Sequence, residues 1–267
     1  MNDLLRIAPR ILRARGWRLY TGQGRLIDLW QYGGRAILGH KNPGLLRSIK
    51  NAGERGLFTP LPHFAEDRLY KALSVLLPGR SFRLYSSEAS LYQAISAAGL
   101  EPIPWRPFLD EKAPAALPQS QLPVVVPVLP CPFPGAPAAL AVDITYTDIL
   151  EKLPPSQLLS PVVLLAAARN IHDLLAAAAR GNPRFPKIEK AVKKSTVWKR
   201  QGIYLFYNNV NKNNPGAEKT NYAAVFRHFL ESGFLLPPSP EEPAILPGEL
   251  SPGEEAKLAA ALQAELQ

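Results

Sequence analysis

The sequence has one cysteine, Cys131, among 267 residues. An intramolecular disulfide framework is therefore excluded, and so is a zinc site built on several thiolates. A reducing, cytoplasmic setting is the expectation that follows. Histidine is nearly as scarce. His40, His63, His172 and His228 make neither an HxxxH nor an HExxH pattern, so no metal site is expected. No Walker loop, dinucleotide fingerprint or EF-hand loop is present, and no internal repeat is found. No membrane span is expected either. The most apolar stretch, Leu158 to Ala179, is broken by Arg169, Asn170, His172 and Asp173, which fits a buried helix with one wet edge. Arg6, Arg10, Arg13 and Arg15 are not followed by an apolar core and a small-residue cleavage site, so no secretory leader is expected.

Proline is abundant instead, with 28 residues, about twice the usual share. It concentrates between Pro102 and Pro161. Proline cannot donate to a strand ladder, so this middle is expected to hold short strands, edges and turns. Basic residues exceed acidic ones by nine. The densest group is Lys187, Lys190, Lys193, Lys194, Lys199 and Arg200. Ile188, Ala191, Val192 and Val197 give that segment an apolar side, so a solvated helix face is expected. No nucleic-acid motif accompanies it, and nucleic acid is not the expected partner.

Periodicity and turn chemistry predict the elements. WRLYTGQGRLIDLW, residues 17–30, reads as a hairpin turning at Thr21–Gly24. Helices are expected over 45–56 and 65–77, the second stopped by Pro78-Gly79. A strand over 81–85 leads into a helix over 88–98. Strands follow at 124–129, weakened by Pro127, and at 139–146. Ser160 and Pro161 open a helix that Gly181 ends. A strand over 203–207, a loop over 208–216, a helix over 222–232 and a strand over 234–236 come next. Ser251-Pro252-Gly253-Glu254 is a capping box for a last helix.

Two stretches resemble a known family. GQGRLIDLWQYGGRAILGHKNP, residues 22–43, is similar to the N-terminal signature of class III aminotransferases. Gly24, Ile27, Asp28, Gly34, Leu38, Gly39, His40 and Pro43 fall on its pattern. The run Ile37-Leu38-Gly39-His40 and the stretch ERGLFTPLPHFAEDRLYKAL look most like glutamate-1-semialdehyde aminomutases. Residues 225–255 resemble the family's final segment, with Pro238, Ser239 and Glu242 in matching places. The resemblance implies an α/β fold of the pyridoxal-phosphate (PLP) fold type I, with a shortened large domain and a small α+β domain built from both termini. The corresponding division is 1–80 as N-terminal arm and part of the small domain, 81–160 as a Pro-rich remnant of the cofactor domain, and 161–267 as the C-terminal small domain.

The catalytic parts of the family pattern are thinner. Where the family reads S-G-T-E-A and holds the cofactor phosphate, this chain reads Ser86-Ser87-Glu88-Ala89. Ser87 is expected to cap the following helix, and Ser86 and Ser87 are at most vestigial phosphate ligands. Asp143 corresponds either to the family's pyridine-nitrogen aspartate or to the strand that follows the Schiff-base lysine. Lys152 is the only lysine in 113–186 and a weak counterpart of that lysine; an exposed turn or helix end is expected for it. His40 is expected to orient its loop. Arg35 is an added cation in the loop Tyr32–Arg35 and a candidate ligand for a carboxylate or phosphate. Three readings follow. The first is a non-catalytic binding protein with no cofactor, binding a small anion and pairing as a homodimer or with a paralogous aminotransferase-like chain. The second is a working PLP enzyme with an atypical or partner-completed site. The third is a basic binder of nucleic acid or of an anionic surface.

Overall fold

The computed structural model describes residues 3–110, 122–208 and 215–264. In chain order the elements are β1 (Ile11–Arg15), β2 (Arg18–Thr21), β3 (Gly24–Asp28), α1 (Pro43–Glu54), α2 (Ala65–Leu76), β4 (Arg80–Tyr85), α3 (Glu88–Ala97), β5 (Ile103–Trp105), β6 (Val124–Pro127), β7 (Ala138–Asp143), α4 (Thr147–Lys152) and α5 (Pro161–Ala178). They continue as α6 (Pro186–Lys194), β8 (Trp198–Gln201), β9 (Tyr204–Tyr207), α7 (Pro215–Glu231), β10 (Phe234–Leu235), β11 (Ala244–Ile245) and α8 (Pro252–Gln263). The chain divides into two compact units, Met1–Lys41 with Asn182–Gln267, and Asn42–Gly181. The sequence reading draws its boundaries at 80/81 and 160/161. Here α1, α2 and α5 belong with the proline-rich middle: α5 packs on both α1 and α2, and α2 packs on β4.

In the first unit, β1, β2 and β3 form an antiparallel meander, and β10 adds in parallel beside β3. Both ends of the sequence are stitched together here. Ile27 N–H donates to Gly233 O, Leu29 N–H to Leu235 O, and Ile245 N–H to Leu29 O. Gly233 can end α7 and turn into β10 because it sits at φ +85°, a region that costs glycine little. A second small sheet runs β11-β9-β8. Its Trp198 and Tyr207 meet edge-on, with centroids 5.2 Å apart, and Phe229 of α7 lies 5.6 Å from Trp198. The capping box expected at Ser251 is formed. Its Oγ accepts from Glu254 N–H, and Glu254 Oε2 accepts from Ser251 N–H.

The second unit holds a sheet of order β4-β7-β6-β5. β7 is antiparallel to both neighbours, and β5 is parallel to β6. Helix α3 buries Leu91 and Ile95 against Val124, Val126, Leu140 and Val142. Each such aliphatic side chain contributes ~2 kcal/mol when fully buried. Pro127 is accommodated as the last residue of β6, where little of the ladder needs an N–H. Helix α5 is long and apolar enough to cross a membrane by length and composition. It lies against α1 and α2, with Ala166 and Ala167 wholly buried.

Local departures from the sequence reading have clear causes. Ser160 precedes α5, but its Oγ donates to Leu57 O rather than capping the helix. β1 has no counterpart among the expected elements, because ILRAR is basic and its pattern is mostly exposed. β5, β8 and β11 are two to four residues long and carry too little periodicity to be seen. The expected loop over 208–216 lies largely outside the described residues, and α7 begins at Pro215.

Candidate functional site

The junction of β4 and α3 is the place where the sequence suggests a phosphate cradle. Ser87 is the N-cap of α3, with an extended backbone at φ −159°, ψ 162°. Its Oγ accepts from Ser90 N–H at 3.1 Å, and Ser90 Oγ accepts from Ser87 N–H at 3.2 Å. This reciprocal cap takes up the serine donors that an anion would need. Ser86 N–H donates to Gln157 Oε1 at 2.8 Å. Gln157 belongs to a segment that closes the outer edge of β4: Leu84 N–H donates to Ser156 Oγ, and Gln157 N–H donates to Leu84 O. Neither Ser156 nor Gln157 was singled out from sequence, since nothing local marks a loop residue as an edge cover.

Asp143 does not join this junction. In the antiparallel register of β4 and β7, Tyr85 faces Ala138 and Arg80 faces Asp143. Asp143 is thus level with the opposite end of β4, five residues from Tyr85, or about 17 Å at ~3.4 Å per residue. There its Oδ1 accepts from Thr145 N–H and from Thr145 Oγ1 at 2.7 Å. The two hydrogen bonds from Thr145, helped by Arg80 at 3.9 Å, hold its carboxyl below the usual carboxylate range. This is an Asx turn that starts the chain toward α4. Lys152 ends α4 with its side chain 64% exposed, 4.0 Å from Asp148. Lys50 is likewise solvent-facing and lies near Glu54. Among the described residues of this unit, no lysine is buried.

Among the described residues of the second unit, Ser86, Ser87, Asp143 and Lys152 therefore do not assemble a fit for PLP. That cofactor needs an amide cradle, a carboxylate at the pyridine nitrogen and a desolvated lysine within one cleft. Here the first is closed on itself, the second lies at the other end of the strand, and the third is in solvent. No chemical step through the cofactor follows from this arrangement.

In the first unit the loop after β3 is ordered by Asp28, which is 1% exposed. Its Oδ1 accepts from the N–H groups of Trp30 and Gln31, and its Oδ2 accepts from His40 Nε2 at 2.7 Å. His40 thus orients the loop as expected. Gln31, Tyr32, Gly33 and Gly34 all have positive φ, between 49° and 99°. Such a run is costly for the two non-glycine residues. It is held from the C-terminal segment: Trp30 Nε1–H donates to Glu242 Oε2, and Gln31 Nε2–H donates to Ile245 O. Arg35 stacks over the Tyr32 ring at 5.7 Å, so its guanidinium is partly engaged within its own loop.

The basic segment over 187–200 forms α6 and β8. Ile188 and Ala191 are buried, while Lys193 pairs with Glu189 at 2.8 Å. The helix presents its lysines to solvent, as the sequence pattern implies. A cavity of about 490 Å³ lies nearby, lined by Lys194, Trp198, Tyr207 and Phe229. Among the described residues no cluster of three or more His, Cys, Asp or Glu side chains could hold a metal.

Comparison with known proteins places the architecture. The chain superposes on an omega-transaminase from Thermomicrobium roseum with a TM-score of 0.68 and 14% identity, over 97% of this chain and 92% of that one. It superposes on ornithine delta-aminotransferase from Plasmodium falciparum with a TM-score of 0.66 and 11% identity, over 96% and 92%. An omega-transaminase from Sphaerobacter thermophilus gives 0.65 and 12%, over 96% and 90%. No family model matches the sequence. A curated relative, an uncharacterized protein of Treponema pallidum (strain Nichols), is 28% identical over 92% of this chain and 91% of its own length. The fold is that of the PLP-dependent aminotransferases, fold type I, with a small α+β unit built from both termini.

Proposed function

We propose that this chain is a non-catalytic binding protein built on a class III aminotransferase fold, with glutamate-1-semialdehyde aminomutases as the nearest branch of its ancestry. The run Ile37-Leu38-Gly39-His40 and the Asp28–His40 contact support that ancestry. The observation that carries the functional reading is the separation of Asp143 from the Ser86–Ser87 junction along β4 and β7, with Lys152 in solvent. The scaffold is retained and the catalytic set is dispersed. Function follows the site and not the fold, so the likeness to transaminases does not by itself make this chain one.

In this reading the protein acts in the cytoplasm as a homodimer, or as a heterodimer with a paralogous aminotransferase-like chain. Two-fold pairing is the commonest arrangement of oligomers. Arg35 offers a guanidinium to a small carboxylate or phosphate at the loop after β3. The test is to add PLP to the purified chain, reduce with borohydride and map the labelled peptides. The expected result is no specific absorbance band and no stoichiometric adduct at Lys152. One stoichiometric adduct at Lys152 would overturn the reading. Light scattering at high micromolar concentration separates a dimer from a monomer.

A further inference from the structure

The register of the first meander concentrates positive charge on one sheet face. Arg15 faces Arg18 across β1 and β2, and Tyr20 faces Arg13 on one side and Arg25 on the other. Alternation along each strand puts all five side chains on the same side. Like charges directly opposite one another destabilise a sheet. One carboxylate offsets part of this: Glu254 accepts from Arg18 Nε and Nη2 at 2.9 and 2.7 Å and pairs with Arg25 at 3.2 Å. Glu249 adds a longer contact to Arg18.

A further cation is brought in by the backbone. Gly16 turns between β1 and β2 at φ +56°. His40 N–H donates to Gly16 O at 2.8 Å. Gly39 lies so close to that turn that a Cβ there would be 3.0 Å from Gly16 Cα. This clamp sets Lys41 on the rim of a concavity of about 480 Å³, which Arg15, Arg18, Arg25, Glu249 and Glu254 also line. The volume is within the range of small-molecule sites. Four cations face two carboxylates, and neither Arg15 nor Lys41 has a carboxylate partner among the described residues.

We infer that this concavity is a binding site for a phosphate-bearing small anion, held by Arg15 and Lys41 with Arg25 beside them. The excess of two positive charges matches a phosphomonoester dianion. A guanidinium fork next to an ammonium suits its oxygens, and the Arg18–Glu254 pair forms a fixed floor. Because Arg15 and Lys41 are exposed, their removal leaves the fold in place.

The test is calorimetric titration with phenyl phosphate and with inorganic phosphate at 150 mM salt, roughly physiological ionic strength. The wild type is compared with Arg15→Ala/Lys41→Ala and with a control, Lys190→Ala/Lys194→Ala, on α6. One saturable site is expected, weakened at least tenfold in the first variant and less than twofold in the control. The unliganded melting temperature of the first variant should match the wild type. Tighter binding of phenyl phosphate than of inorganic phosphate assigns the site to phosphomonoesters; the reverse order assigns it to the free anion. Absence of saturable binding, or equal weakening in both variants, overturns the site. So does a 20-base-pair duplex that binds more tightly than either anion, with a steep salt dependence and the same reliance on Arg15 and Lys41, since the face would then be a nucleic-acid surface.

Discussion

His40 Nε2 lies 2.7 Å from Asp28 Oδ2, at the point where the N-terminal meander passes into the loop that the C-terminal segment holds. A carboxylate can only accept, so His40 donates from Nε2. The same carboxylate takes the N–H groups of Trp30 and Gln31. One buried side chain thus fixes three donors and the left-handed run that follows. Asp28→Ala should cost about 3 kcal/mol, because it strands one buried and two part-buried donors, a buried one costing ~1–3 kcal/mol. Asp28→Asn should cost less, since its amide can still accept from the backbone and can donate to His40 in the other tautomer. Urea unfolding of both variants checks the order, and equal losses would mean that Asp28 is not the organiser of the loop.

Glu254 carries the clearest pH dependence. The hydrogen bonds from Arg18 hold its carboxyl at about 2, against an ordinary 4.5. A depressed pKa in the folded state contributes stability that is present above the unfolded value and lost as pH falls through the folded one. The window here runs from about pH 4.5 down to about 2, and the contribution is on the order of 3 kcal/mol at 1.36 kcal/mol per unit. Glu254→Gln should therefore be less stable than the wild type at pH 6, with the gap closing as pH approaches 2. Parallel acid-denaturation curves would rule out the Arg18–Glu254 pair as the source.

Tyr85 ends β4 at 1% exposure, and its Oη has no partner among the described residues. Burial pushes its phenol up from the ordinary value. A buried hydroxyl without a partner costs about 1–3 kcal/mol. Tyr85→Phe keeps the ring against the sheet core and removes that cost, so the melting temperature should rise by a few degrees. A drop would reveal a hydrogen bond to Tyr85 that the described residues do not include.

The legible parts of the fold are those whose signals are local. The turn at Thr21–Gly24, the capping box at Ser251 and the cap at Ser87 each need only a few adjacent residues. The strands at Arg80–Tyr85 and Ala138–Asp143 were visible from composition. Their pairing was not, and it is the pairing that separates Asp143 from Ser87. Family likeness alone would have grouped the two. Ser160 shows the opposite limit: its sequence context is that of a cap, yet a carbonyl from Leu57, 103 residues away, takes the hydroxyl. The basic face of the meander is not legible in the sequence, because only the pairing of β1 with β2 brings Arg13 and Arg15 onto it.

Ser87 distinguishes a structural cap from a vestigial phosphate ligand. Its Oγ accepts from Ser90 N–H, and its own N–H is taken by Ser90 Oγ. Replacing an N-cap serine with alanine costs ~1 kcal/mol, and a ten-residue helix such as α3 has little else at its N-terminus. Ser87→Ala should therefore lower the melting temperature by several degrees. Ser90→Ala should cost less, because it leaves the bond from the residue-90 backbone N–H to Ser87 Oγ intact. Neither change should alter the protein's response to added PLP or to inorganic phosphate, because the cap already occupies the donors. If Ser87→Ala left stability unchanged but abolished a phosphate-induced rise in melting temperature, the junction would be an anion site, and Ser87 would have kept the older role.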